Sequence, residues 1–174
     1  MKQLIFKIQK FTLLFIVLFM CSCEDPYVTI KYTLTCDEAL LNYATPQVTY
    51  KGNDGDTIKF QLSDNEWKKE SNYSKWEKEI TYNDFSHIED EITITYIPKE
   101  NIPSDAKIFI DFTHDLSASL EIRDEDGHVT NNSEIRTMTT TINIGNNMPL
   151  KEAILKYKNY LGFKVNNDGT WESK

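Results

Sequence analysis

Acidic side chains are concentrated at predicted turns, and their oxygen atoms are of the type that binds Ca²⁺. The residues concerned are Asp54, Asp56, Asp124, Glu125, Asp126 and Asp168. None of these turns follows the spacing of a calcium-binding loop with a distal glutamate, and calcium needs about six to eight oxygen ligands. Aspartate also favours hairpin turns for backbone reasons. We therefore expect solvated turns and predict no metal site.

The histidines lack the short spacing of a metal-binding pair. They are His87, His114 and His128. His114 is followed by Asp115, a carboxylate that would orient an imidazole for base catalysis, and Ser117 and Ser119 lie nearby in the chain. There is no nucleophile elbow, glycine-rich phosphate loop or Cys-x-x-Cys motif. A hydrolase with His114 or an acidic cluster in its site stays an alternative, and no catalytic residue or cofactor is predicted.

Aromatic side chains give the best indication of binding, because aromatic faces stack on sugars and anchor protein interfaces. Trp67 and Tyr73 flank the polar segment 68–72, so we expect an exposed loop here. Trp76 and Trp171 are expected to fill the core. Trp67 and Tyr73 are therefore the predicted ligand contacts.

The N-terminus has the features of a secretory signal. Basic residues at Lys2, Lys7 and Lys10 precede an apolar run over residues 11–20 that only Thr12 interrupts. This run is shorter than the ~20 apolar residues that a membrane-spanning helix needs. A positive segment followed by a short apolar one is typical of a signal peptide.

The residues that follow this run, Met20-Cys-Ser-Cys-Glu-Asp-Pro26, resemble a lipobox. The resemblance implies that residues 1–22 are a lipoprotein signal peptide and that Cys23, preceded by the small Ser22, carries the lipid. Cys21 is the rival acceptor, but it follows the bulky Met20. The alternative is a secreted chain with a disulfide between Cys21 and Cys23, which the lack of an A-x-A-like cleavage site disfavours.

Glu24 and Asp25 resemble the export signal of surface lipoproteins in the Bacteroidota. The resemblance implies a lipidated tether over residues 23–27 and a location on the outer membrane, facing the cell surface. The membrane would then be contacted through the lipid anchor only, because several acyl chains make attachment effectively stable.

Cleavage before Cys23 would leave 152 of the 174 residues, enough for one domain over residues 28–174 whose core needs no metal or disulfide. Cleavage also removes three lysines from a chain of net charge −8, so the mature net charge is near −11. An acidic surface argues against nucleic acid and anionic lipid as partners. The composition does not indicate an oligomeric state.

Period-two alternation of apolar and polar residues predicts a mainly β fold. The first strand alternates over Val28, Ile30, Tyr32, Leu34 and Cys36. Cys36 should therefore point into the core, where a buried structural thiol is favoured over a reactive one.

A short helical turn is predicted over residues 38–43, capped by Asp37 and ending before Thr45-Pro46. A hairpin follows over residues 46–62, with its turn at residues 52–56. Residues 65–75 give no clear prediction, and residues 76–82 fit either a strand or a helix.

Further strands are predicted over residues 91–97, 107–113 and 118–124, and a polar loop then leads to a Thr-rich strand over 135–144. A C-terminal helix is predicted over about 148–161, capped by Asn147 and stopped by Gly162, before a terminal hairpin. Strands at this spacing predict a two-sheet antiparallel β-sandwich, which the helix covers at a face or edge.

The lipobox, the strand and turn over Thr33–Leu41 and the segment Thr45–Tyr50 before a Gly/Asp hairpin resemble small outer-membrane lipoproteins of the Bacteroidota. The resemblance implies an immunoglobulin- or transthyretin-like sandwich. Most of these relatives have no known function, so only location and fold are implied. Asp56-Thr57-Ile58 also resembles the O-glycosylation signal of exported proteins in this group, with Thr57 as the acceptor.

The predicted function is non-catalytic: a surface lipoprotein that binds a glycan or a protein partner, or assists such binding. The alternatives are an extracytoplasmic hydrolase and a structural subunit of an outer-membrane assembly. A binder should hold Trp67 and Tyr73 side by side and exposed. A hydrolase should bring carboxylates and a histidine together in a deep pocket, and a structural subunit should have a large flat apolar patch.

Overall fold

The computed structural model describes residues 26–52, 54–83, 88–102, 110–136, 140–144, 148–166 and 170–174. Within these ranges two antiparallel sheets pack face to face, so the predicted two-sheet β-sandwich is confirmed. The predicted signal peptide over residues 1–22 lies outside the described residues, as do Cys23, His87, Asn147 and Asp168. No helix in the described ranges has the length and apolar character that crossing a membrane requires.

The chain is mostly consecutive strands, and its elements follow one another in this order. They are β1 (Tyr27–Asp37), α1 (Glu38–Tyr43), β2 (Ala44–Lys51), β3 (Thr57–Gln61), a 3-10 turn (Asp64–Glu66), β4 (Lys68–Lys69), β5 (Tyr73–Tyr82), β6 (Glu89–Pro98), β7 (Ile110–Arg123), β8 (Val129–Arg136), β9 (Thr140–Ile144), α2 (Leu150–Lys156), β10 (Lys158–Val165) and β11 (Trp171–Ser173).

Sheet one has the strand order β4-β5-β1-β7-β8, and β9 also pairs with β7. Sheet two has the order β11-β10-β6-β2-β3. Aromatic rings fill the space between the sheets: Tyr32 of β1 lies 6.5 Å from Tyr50 of β2 and 6.3 Å from Phe163 of β10, measured between ring centroids. Phe60 and Trp76 make a similar contact at 6.1 Å. The core therefore lies between the two inner faces.

The alternation predicted for β1 is confirmed. Its five inward side chains, Val28, Ile30, Tyr32, Leu34 and Cys36, are all 0% exposed. The Cys36 thiol lies 3.4 Å from the Tyr96 hydroxyl, and burial raises its pKa to about 12. Cys36 is thus a buried core residue, as expected.

The short helix α1 also follows the prediction. The Asp37 side chain accepts a 2.9 Å hydrogen bond from the Ala39 N–H and so caps its first turn. α1 ends at Tyr43, before Thr45-Pro46, and the hairpin predicted after it is formed by β2 and β3. Gly55, at a φ of +83°, provides the left-handed conformation that the connecting turn requires.

The segment that gave no clear prediction forms the 3-10 turn and β4. Ser63 and Glu66 make a capping box, in which the Ser63 N–H donates to Glu66 Oε2 at 2.6 Å. Residues 73–82 are a strand rather than a helix, and Trp76 is buried in the core, as predicted.

The helix predicted over residues 148–161 is wrong in its second half. α2 ends at Lys156 and β10 begins at Lys158, although the terminal hairpin of β10 and β11 is confirmed. Tyr157 and Tyr160 fit the helical spacing, but residues 158–164 pair with β6 along its open edge. That pairing satisfies backbone groups and buries Leu161 and Phe163, and such tertiary contacts outweigh local helical spacing.

Gly162 therefore does not stop a helix, because it lies inside β10. A Cβ atom at this position would collide with the ring of Tyr160. The absence of a side chain lets the Tyr160 ring lie across the strand, where its hydroxyl is 3.3 Å from Glu91 Oε2.

The strands predicted over 107–113 and 118–124 are one strand, β7, within the described residues from Ile110 onward. Its pairing with β1 runs without a break from His114 to Arg123. β8 begins at Val129, directly after the tight turn, where a polar loop was predicted, and the strand expected over 135–144 is divided between β8 and β9. β8 lies at the edge of its sheet, so its polar side chains hide the alternation on which the prediction depended.

Candidate functional site

A groove lies where β1 passes into α1. We call it the Trp67 groove; its volume is about 180 Å³ and its lining residues are Glu38, Leu41, Asn42, Asp64, Trp67, Lys69, Ser74 and Lys99. Sites for drug-sized molecules usually measure ~300–1,000 Å³. The Trp67 groove therefore suits one ring-sized group rather than a larger ligand.

The helix α1 forms one wall of the groove. Glu38, Leu41 and Asn42 are spaced at i, i+3 and i+4, so they share one face of the helix. The Asp37 cap fixes where the helix starts, and the Lys99 N–H donates a 2.9 Å hydrogen bond to the Tyr43 carbonyl where it ends. Both ends of this wall are therefore held by hydrogen bonds.

Trp67 provides the main apolar surface of the groove. It follows the 3-10 turn and precedes β4, which pairs with β5 through Lys68 and Lys69. Its side chain is half-buried and packs against the core while also lining the groove. The core thus holds the indole in place, and its remaining surface is available to a ligand.

A polar cluster lies beside the indole. The Ser74 side chain is 1% exposed, and its hydroxyl donates to Glu38 Oε1 at 3.3 Å. The Lys69 ammonium lies 4.0 Å from the same carboxylate oxygen. Glu38 is therefore fixed in the groove by one donor below it and one cation at its rim.

Three other side chains of the lining differ from Glu38 in their interactions. Among the described residues, none forms an ion pair or side-chain hydrogen bond with Asn42, Asp64 or Lys99. Asn42 and Asp64 are exposed, and Lys99 is half-buried. An amide, a carboxylate and an ammonium are thus available to donate to, or accept from, a ligand.

The groove combines one aromatic surface with several polar groups, so it is more polar than most ligand pockets. An indole packs against the C–H face of a sugar ring, while carboxylate, amide and ammonium groups bond to its hydroxyls. Among the described residues that line the groove there is no histidine, so its carboxylates Glu38 and Asp64 have no imidazole partner within this set.

The structure does not bring the two predicted contact residues into one site. Tyr73 is 37% exposed at the start of β5, and its hydroxyl donates to the Glu70 carboxylate, which raises its pKa. It is not among the lining residues of the Trp67 groove. Of the predicted pair, Trp67 lies in the groove and Tyr73 lies outside it.

The acidic turns have backbone roles in the part of the chain that the structure describes. Asp54 Oδ1 accepts the Asp56 N–H at 3.1 Å, and Asp124 Oδ1 accepts the N–H groups of Asp126 and His128 at 3.0 and 2.8 Å. The side chains of Asp124, Asp126 and His128 hold potential ligand atoms within 4.8 Å of one another. These hydrogen bonds are those expected of aspartate in a turn.

Three further candidate residues have defined positions. His114 lies in β7, where it pairs with Cys36 and Thr140. Thr57 is exposed at the start of the edge strand β3, and its O-glycosylation stays a prediction that intact-mass measurement of native protein would test. Trp171 is half-buried and packs against the core.

Sequence reasoning missed most of the groove lining. The i, i+4 spacing of Glu38 and Asn42 was a usable signal, because the helical turn itself was predicted. Nothing in the sequence indicated that Lys99 lines the groove. Its position depends on a contact between distant parts of the chain, in which its backbone N–H bonds to the Tyr43 carbonyl at the end of α1.

Comparison with known proteins gives no indication of function, so the proposal below rests on the geometry of the groove. A scan against known protein families finds no match, and a search of curated proteins finds no similar sequence.

Proposed function

We propose that this protein is a lipid-anchored binding module of the outer membrane of the Bacteroidota type, and that its Trp67 groove binds one sugar unit of a glycan at the cell surface. The observation that carries the proposal is the half-buried Trp67 beside a set of polar side chains that have no partner among the described residues. A protein partner and a hydrolytic reaction are the competing functions.

The small size of the groove supports a sugar over a protein partner. A protein anchor residue gains most of its energy from a dry apolar pocket. Among the described residues that line the groove, Trp67 and Leu41 are the apolar ones, and the other six are polar or charged. Sugar rings present one apolar face and many hydroxyls, so they suit a wall of this mixed composition better.

The position of the groove supports display away from the membrane. β1 begins at Tyr27, the last residue of the predicted tether, and the groove lies at its other end, where Asp37 caps α1. An anchor at Cys23 would therefore hold the chain by the opposite end of β1 from the groove.

Glycan binding is tested with full-length protein on a glycan array, in a detergent without a sugar headgroup that would compete. Trp67→Ala should weaken binding at least about 30-fold, as loss of a central aromatic anchor costs ~2 kcal/mol or more. Trp67→Phe should retain most binding, because an aromatic face remains. Asn42→Ala tests the groove without touching the core.

Tyr160→Ala is the matched control, since Tyr160 is an exposed aromatic outside the groove lining. The thermal unfolding midpoint of each variant reports whether it folds. Binding that survives both Trp67→Ala and Asn42→Ala, or an array on which no glycan binds, would contradict the proposal.

The anchor is tested by metabolic labelling with a fatty-acid analogue. Wild-type protein and Cys21→Ser should be labelled, while Cys23→Ser should not. An unlabelled wild type, or label that depends on Cys21 instead, would refute the lipid assignment. Protease added to intact cells should digest the wild-type protein but leave the double variant Glu24→Ala, Asp25→Ala protected, if these acidic residues direct surface export.

A further inference from the structure

Lys99 is the least expected member of the groove lining. It follows β6, and its backbone N–H bonds to the Tyr43 carbonyl, so its position at the end of α1 is fixed. Its side chain is half-buried, and within the described ranges no carboxylate forms an ion pair with its ammonium. Among the described residues, this cation in the groove wall therefore has no ion-pair partner.

The two carboxylates of the groove do not form an ion pair with Lys99. Glu38 accepts from Ser74 and lies 4.0 Å from the Lys69 ammonium, so it already has a donor and a cation. Asp64 is exposed and keeps contact with water. Neither forms an ion pair with Lys99.

A ligand that covers Lys99 removes water from a charged group that is already half-buried. Removing this water is unfavourable unless the ligand supplies a strong acceptor. A hydroxyl oxygen is a weak substitute, whereas a carboxylate or sulfate forms a charge-assisted hydrogen bond of roughly twice the strength.

We infer that the sugar unit bound in the Trp67 groove carries an anionic group, a carboxylate or a sulfate, that pairs with Lys99, so that the natural ligand is an acidic glycan. This inference rests on the proposed function and adds the chemical class of its ligand. Trp67 contacts the ring, Asn42 and Asp64 bond to its hydroxyls, and Lys99 binds the charge.

A lysine cluster lies on the outer face of sheet one, opposite the face on which Ser74 lines the groove. Lys69 of β4 lies at the rim, and its neighbour Lys68 belongs to a cluster in which three lysines surround Glu77. The distances from the Glu77 carboxylate to the Lys31, Lys68 and Lys75 ammonium groups are 2.9, 2.8 and 2.8 Å. These four groups carry a net positive charge on a chain whose net charge is −8. Because this cluster faces away from Ser74 and the groove, an acidic polymer bound there would depend on neither Trp67 nor Lys99.

The test compares acidic glycans with their neutral counterparts, using full-length protein in the same detergent. Polygalacturonate against its methyl ester tests a carboxylate, and dextran sulfate against dextran tests a sulfate. They are used beside an array that holds both acidic and neutral glycans. We expect acidic glycans to bind, and Lys99→Gln to weaken that binding about 10- to 100-fold.

Lys99→Arg should restore most of the binding, and Lys59→Gln, which changes an exposed lysine outside the groove lining, should leave it unchanged. Neutral glycans that bind through Trp67 with no effect of Lys99→Gln would overturn this inference and leave the proposed function intact. Acidic glycans that bind equally well to Trp67→Ala would also overturn it, because only surface charge would then be involved. If no glycan binds, the proposed function itself fails.

Discussion

The Tyr82 hydroxyl donates a 2.8 Å hydrogen bond to Asp90 Oδ2 and so joins the end of β5 in sheet one to β6 in sheet two. Asp90 is 1% exposed, and its other oxygen accepts the Glu91 N–H at 2.7 Å. Burial raises the pKa of Asp90, because the hydrogen bonds that favour the charged form do not fully offset the loss of water.

This carboxyl group predicts a pH dependence of stability. Since its pKa is higher in the folded chain than in the unfolded one, the folded chain binds the proton more tightly. The free energy of unfolding should therefore fall as pH rises from about 4, the unfolded aspartate value, through the folded pKa. Asp90→Asn removes the titration, so its stability relative to wild type should increase over this range in urea unfolding.

The matched control is Asp126→Asn, the same change at an exposed aspartate. Its stability relative to wild type should not follow the same trend with pH. If Asp90→Asn and wild type keep a constant difference from pH 4 to pH 7, the assignment to Asp90 is wrong.

Cys36 should resist thiol reagents in the folded protein. Its side chain is 0% exposed and its pKa is raised to about 12, so almost no thiolate forms near pH 8. If the chain is cleaved and lipidated at Cys23 as proposed, it should take up no label from a disulfide reagent until a denaturant unfolds it, after which one thiol per chain should react. Rapid labelling under native conditions would show that the strand opens locally.

Parts of this fold were predictable because short-range patterns and the final packing agree. β1 alternates strictly, and Asp37 both ends the strand and caps α1, so each boundary has a local cause. Residues 158–161 are the opposite case: Tyr160 and Leu161 continue a helical stripe, and only the open edge of β6 makes a strand more favourable. The sequence around residues 158–161 does not show that β6 has an unpaired edge.

The candidate site divides in the same way. Trp67 was predicted as a ligand contact because its polar surroundings indicated an exposed loop, but the structure has it half-buried, packed against the core as well as lining the groove. Lys99 was not predicted, because its place in the groove depends on where the end of β6 meets α1. Tyr73 resembled Trp67 in its sequence context, but the strand β5 starts there and carries it out of the groove lining.

The lysine cluster around Glu77 should contribute modestly to stability. The ion pairs with Lys68, Lys75 and Lys31 lower the pKa of Glu77, so their contribution is present at neutral pH and is lost as pH falls below about 4.3. Glu77→Gln should lower the free energy of unfolding by about 1 kcal/mol at low ionic strength, and by less in 1 M salt.

Glu79→Gln is the control for this variant. Glu79 lies 3.8 Å from Lys31 and its side chain is 64% exposed, so its replacement should change stability little. Equal effects of Glu77→Gln and Glu79→Gln in urea unfolding would show that the cluster acts only as general surface charge.

Lys78 should protect the edge of sheet one. β4 covers β5 only at Ser74 and Lys75, and beyond this point no described strand pairs with the outer edge of β5. Lys78 shares its face with the buried Trp76 and Ile80, yet it is exposed. A charge at such a position opposes edge-to-edge pairing.

Lys78→Val should therefore promote association at rising protein concentration, as measured by light scattering after size-exclusion chromatography. Lys156→Val, at an exposed lysine of α2, should not have this effect. A Lys78→Val protein that stays as monodisperse as wild type would contradict the protective role.

The course of β1 has a mechanical consequence. Its 11 residues span about 35 Å from Tyr27 to Asp37, and neighbours bond to both of its edges. If the chain is held before Tyr27 while a bound polymer drags on the far side, the pull runs along the length of β1. Such a load acts on many hydrogen bonds between strands at once instead of opening them one after another. The domain should therefore withstand flow better than it would if an edge strand carried the force.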